Sequence, residues 1–135
     1  MIELSKEKPY EDACKILGLR PVANYKSYKL TDETRNFIKL ETVAKALNEG
    51  WKPTTIDPKE VRYYVWGWNY TDNRKPSGFL YVASRSGLGS ALARVGTSLE
   101  FKDRDTAKEF ARMCKPMIVK YLFGRDDHEN FKFDF

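Results

Sequence analysis

Between Ser84 and Ser98 the sequence reads SRSGLGSALARVGTS, with three glycines, four serines, two arginines and no acid. These residue types suit binding rather than catalysis. Glycine lets backbone amides approach an anion, and the hydroxyls of Ser86 and Ser90 with Arg85 and Arg94 would complete a cradle around it. Gly87 and Gly89 form G-x-G, but Leu92 stands where a dinucleotide loop carries its third glycine, and no Gly-Lys-Ser/Thr follows. The chemistry of an anion loop is present without a standard motif. The competing reading is a tight or flexible connection whose glycines serve geometry alone.

A second concentration lies just upstream, in VRYYVWGWNY at residues 61–70. β-formers dominate it, and strand alternation puts Arg62, Tyr64, Trp66, Trp68 and Tyr70 on one face and Val61, Tyr63 and Val65 on the other. Aromatics spaced in this way stack nucleobases on single-strand and nucleotide-binding surfaces. They also form cores, and large residues on both faces leave open which face is buried.

Charge draws the two stretches together. Of 24 basic and 19 acidic residues, residues 61–98 hold five basic and one acidic, whereas the flanking segments are nearly balanced. Four of those five are arginines (Arg62, Arg74, Arg85 and Arg94), whose planar fork suits phosphate and aromatic faces better than lysine does. A nucleotide presents both phosphates and a flat base. A nucleotide or other phosphate-bearing small molecule is therefore the leading ligand class, with Arg62, Tyr64, Trp66 and Trp68 as the aromatic and cationic wall. Arg85, Ser86, Gly87, Gly89, Ser90 and Arg94 form the anion side.

No catalytic residue, metal site or cofactor can be named on the same grounds. His128 is the only histidine, in the charged run DDHE, which lacks HExxH or EF-hand spacing and reads as a solvated segment. Cys14 and Cys114 are two widely separated thiols within apolar helical patterns, and read as reduced, packed side chains. The expectation is that the chain is not an enzyme.

The elements that must position these residues form an α+β domain: two N-terminal helices, a small antiparallel sheet of about three strands, and a C-terminal helix packed on the sheet. At 135 residues, with 41% hydrophobic composition, one core suffices. Residues 9–18 predict a short helix with Pro9 at its entry and Gly18 at its stop. Thr31 or Asp32 caps a longer helix to about Asn48, with Phe37, Leu40, Val43, Ala44 and Leu47 as its stripe, and Trp51 packs back after Gly50. TDNRKPSG separates the aromatic strand from a return strand GFLYVAS, and SLEFK reads as a third strand. The C-terminal helix starts from Asp103 or Asp105 with Ala107, Phe110, Ala111, Cys114, Ile118, Tyr121 and Leu122 on one face. Pro116 within it predicts a kink near Arg112. Residues 124–135 read as a tail, mobile or docked on the domain or on another subunit.

The phrases YEDACKILGL, KALNEGWKP and VGTSLEFKDRDTAKEFA, in this order around a tyrosine- and tryptophan-rich strand, resemble short uncharacterised proteins of phages and mobile elements of gut Bacteroidales. The resemblance covers most of the chain and brings neither function nor site residues. It implies a setting, the cytoplasm of a bacterial host cell, in which a small protein could hold a nucleotide immune signal away from its receptor as an anti-defence device.

No uncharged apolar run approaches the roughly 20 residues that span a bilayer, and Met1–Pro9 lacks a signal peptide's apolar core, which agrees with a cytoplasmic, membrane-free protein. Three functional readings follow. The first is a non-catalytic nucleotide-binding protein that sequesters a cyclic or other nucleotide. The second is a non-specific DNA- or RNA-binding protein using the same patch. The third is a protein-interaction or structural module whose aromatic face is covered by a partner. A homo-oligomer is expected, because so many aromatics on a small sheet exceed what three helices cover.

Overall fold

The computed structural model describes residues 2–21, 30–52, 60–67, 79–86 and 99–135. Among these residues three α-helices and a three-stranded sheet share one core, in the order α1 (Pro9–Leu17), α2 (Asp32–Asn48), β1 (Val61–Gly67), β2 (Phe79–Ser86), α3 (Arg104–Phe123) and β3 (Lys132–Phe133), with a short 3-10 turn at His128–Asn130 before β3. The class is α+β, with a C-terminal helix against the sheet.

Each helix begins and ends where its local chemistry satisfies the free backbone groups. Pro9 occupies the first turn of α1, where its missing N–H costs nothing, and Gly18 closes the helix in the left-handed region at φ 68°. The Thr31 hydroxyl accepts from the Thr34 N–H at 3.1 Å and starts α2. The Asp103 carboxylate accepts from both the backbone N–H and the hydroxyl of Thr106, at 2.8 and 2.7 Å, and starts α3. These bonds favour the ionised form, so they hold the Asp103 carboxyl below its ordinary value.

Leu40, Val43, Ala44 and Leu47 of α2 are buried, with Phe37 at the margin. They meet Ala107, Phe110, Ala111, Cys114 and Ile118 of α3. Tyr121 falls at the rim, 37% exposed, its ring tilted against Phe37 at 5.5 Å. Helix α3 leaves helical geometry at Cys114 (φ −113°, ψ 19°), two residues before Pro116, whose ring and missing donor forbid a regular turn. Both cysteines are free and buried, and burial pushes the Cys114 thiol up to about 12.

The sheet order is β1-β2-β3. Strands β1 and β2 pair antiparallel from Val61↔Ser86 to Gly67↔Leu80. β3 pairs parallel to β2, with Phe79↔Lys132 and Leu80↔Phe133, so the sheet is mixed rather than wholly antiparallel. Of the segment expected as a third strand, SLEFK, the described residues contribute an isolated bridge, Phe101↔Tyr63, on the other edge of β1. The third strand comes from the C-terminal residues instead. Phe131 is fully buried and stacks on Phe123 at 5.1 Å, and Phe133 stacks on Phe135 at 5.0 Å. The cations of Lys115 and Arg112 lie over the Phe133 and Phe135 rings at 5.5 and 5.2 Å.

Gly67 is where β1 cannot carry a side chain. A Cβ there would stand 2.6 Å from the Phe79 carbonyl oxygen and 3.0 Å from the Phe123 ring. No described helix is long and apolar enough to cross a membrane.

Candidate functional site

Alternation along the hairpin divides its side chains between the two faces of the sheet. The α3-facing side takes Val65 and Leu80 into the core, with Tyr63 and Val82 packed beside them. The register then leaves Tyr64, Trp66, Phe79 and Tyr81 on the opposite face. All four are half-buried.

These four rings come from neighbouring registers, so they form a platform rather than scattered aromatics. Trp66 sits directly across from Tyr81, and the two rings stack with centroids 5.1 Å apart and planes 29° apart. Phe79 is the next ring along the strand, 6.4 Å from Tyr81. Tyr64 lies across from Ala83. Lys132 of β3 is exposed at the Phe79 end. At the other end, Arg62 and Arg85 are register partners. The stacked pair and its flanking rings thus lie between Lys132 at one end and the Arg62↔Arg85 register pair at the other.

Of these two arginines, Arg62 is engaged within the protein. The Arg62 guanidinium is 5% exposed and faces the fully buried Glu100 carboxylate at 3.9 Å. Removing charges from water is costly, and each is tolerable here because the other compensates it. Glu100 is further fixed through its backbone, where its carbonyl accepts from Asn48 Nδ2 at 2.9 Å. Arg62 therefore ties β1 to the residues leading into α3.

The structure brings Tyr64 and Trp66 together on the strand face opposite Val65 and places the Arg85 and Ser86 backbone at the end of β2. Trp68, Gly87, Gly89, Ser90 and Arg94 lie outside the described residues, as do the side chains of Arg85 and Ser86. The chain leaves the described residues at Ser86, beside Val61, and re-enters at Leu99 on the other side of β1. Phe79, Tyr81 and Lys132 are contributors that inspection of the aromatic strand alone does not find. Aligning GFLYVAS with VRYYVWG as a hairpin would have found the first two, since Phe79 and Tyr81 are two apart and share the Trp66 face.

Around His128 the side chains satisfy one another. Asp127 accepts from the Arg125 guanidinium and from Asn130 Nδ2, bonds that hold its carboxyl well below the usual carboxylate range, and His128 Nε2 lies 3.8 Å from Glu129. Among the described residues no group of three His, Cys, Asp or Glu side chains converges as a metal site. Comparison with protein-family models, curated proteins and solved structures finds no match to this chain.

Proposed function

We propose that the chain is a non-catalytic nucleotide-binding protein whose site is the aromatic face of the β1–β2 hairpin. The observation that carries the reading is the Trp66–Tyr81 stack at 5.1 Å, flanked by Tyr64 and Phe79 on the face turned away from α3. Base–aromatic stacking contributes about 1–3 kcal/mol per base, and two or more rings held in place by a strand ladder lose little entropy when they take up a base. A phosphate would meet Lys132 at the platform's Phe79 end, and the register position of Arg85 marks the other end. Arg62 supports the strand through Glu100 rather than the ligand.

Binding alone would be the activity. In the host-cell cytoplasm such a protein sequesters a nucleotide signal, the role that suits the mobile-element setting suggested by the sequence. The test is titration calorimetry of the purified full chain against mononucleotides, cyclic dinucleotides and short single strands. Saturable binding of a compact nucleotide, weakened tenfold or more in Trp66→Leu at unchanged fold, supports the reading. Affinity that rises with each added nucleotide and falls steeply with salt replaces it with the single-strand reading. No binding to any of the panel ends the nucleotide reading.

A further inference from the structure

Among the described residues, α1 and α2 carry exposed apolar side chains beside a cleft. The Schellman turn that ends α1 bonds the Leu19 N–H to the Cys14 carbonyl at 2.8 Å, and in such turns the residue after the left-handed glycine usually folds back onto the helix. Here Leu19 stays 49% exposed, and so does Ile16. Ile16 also lines a cleft of about 520 Å³, with Ile2, Leu17, Ala46 and Trp51 as further apolar lining. One exposed leucine is ordinary, but a contiguous set of this kind marks a contact surface.

The charges around the cleft state what kind of surface fits it. Glu41, Lys45, Glu49 and Lys52 line it, all exposed, alternating in sign along α2 and its C-terminal turn. The rim is neutral although the chain carries +5. A basic or an acidic partner would find no net attraction there, whereas a surface with the same alternation reversed would be matched at every position. The same rim turned end for end is such a surface. A two-fold axis near residues 46–47, at the middle of this lining, sets Glu41 against Lys52 of the other copy and Lys45 against Glu49, and repeats both pairs by symmetry.

We infer that the α1–α2 cleft is the interface of a homodimer in which two copies of this chain meet with their α2 helices antiparallel. The protruding Ile16 and Leu19 of each copy cover apolar lining of the other, and alternating rim charges fix the direction of the two helices. None of Tyr64, Trp66, Phe79 and Tyr81 lines this cleft.

The experiment measures the mass of the full chain by multi-angle light scattering across a concentration series, for wild type, Leu19→Asp, Lys45→Glu, Glu49→Lys, and an equimolar mixture of the last two. All three substitutions fall at exposed positions, and circular dichroism confirms that each variant keeps its fold. Wild type should give twice 15.7 kDa. Leu19→Asp should weaken the dimer at least tenfold. Lys45→Glu and Glu49→Lys, which each set like charges face to face twice, should do the same alone and recover the dimer when mixed, because the mixed pair is complementary at both contacts. A wild type that is monomeric at every concentration overturns the inference. So does a dimer indifferent to Leu19→Asp and to both charge reversals, and so does failure of the mixture to recover the mass.

Discussion

Replacing Phe131 with alanine tests how residues 124–135 are held, and through them the construction of the sheet. The Phe131 ring is fully buried, stacked on Phe123 with planes 12° apart, and covered by the Arg125 guanidinium at 5.0 Å. Truncating a buried phenylalanine costs about 3–5 kcal/mol from lost transfer and residual cavity. The stacked pair and the overlying cation each add about 0.5–1 kcal/mol that a smaller apolar side chain does not replace. The expected loss is therefore in the upper part of that range, about 4–5 kcal/mol. With a urea m-value of about 2 kcal/mol/M for a chain of this size, the unfolding midpoint followed by circular dichroism should drop by roughly 2 M. Phe131→Leu, which keeps much of the apolar volume, should lose distinctly less. A loss below about 1 kcal/mol for Phe131→Ala would refute the reasoning, because it would mean that the C-terminal segment rests on the domain without anchoring it.

Four other outcomes follow from the same structure. Arg62→Leu should destabilise by about 3–5 kcal/mol in chemical unfolding by removing the guanidinium that faces the buried Glu100 carboxylate, and the double change Arg62→Leu with Glu100→Leu should recover much of it. Asp103→Ala should cost about 1 kcal/mol by removing the α3 cap. The folded carboxyl is depressed, so this difference should be full above pH 4 and disappear as the pH falls through the lower folded value, which acid-range melting curves would show. Gly67→Ala should lower the midpoint, since its Cβ meets a backbone oxygen at 2.6 Å, whereas Gly124→Ala meets no neighbour and tests only the left-handed backbone at φ 65°. Cys14 and Cys114 should resist a thiol reagent in the native protein and react on unfolding, and rapid native reaction would contradict their burial.

The helices were legible because their signals are local: Pro9 and Gly18 bracket α1, Thr31 starts α2, Asp103 starts α3, and the apolar stripes follow the helical period. The hairpin was legible for the same reason, since β-rich runs flank a turn-forming stretch. The buried face of β1 was not, because Arg62, Tyr64 and Trp66 are as large as Tyr63 and Val65 together require, and only α3's position decides between them. Arg62 misled as a free cation because its partner, Glu100, lies 38 residues on and just beyond the acid-free segment. β3 was missed because its ladder is two residues long and its signal, phenylalanine at 131, 133 and 135, is split by Lys132 and Asp134 in a run that otherwise reads as polar. SLEFK reads as a strand on propensity, but pairing stops at Phe101 where Asp103 begins the next helix.

The central claim is that a nucleotide rests on the hairpin's aromatic face, and photolabelling locates it most directly. Trypsin cuts after Arg62, Arg74 and Arg85, so peptides 63–74 and 75–85 together carry Tyr64, Trp66, Phe79 and Tyr81. An azido-purine nucleotide from the class that binds in calorimetry, irradiated with the full chain and mapped by mass spectrometry, should label these two peptides. Excess unmodified nucleotide should suppress the label, and Trp66→Leu should reduce it severalfold. Competable labelling that falls instead on α1 or α2 peptides would contradict the account.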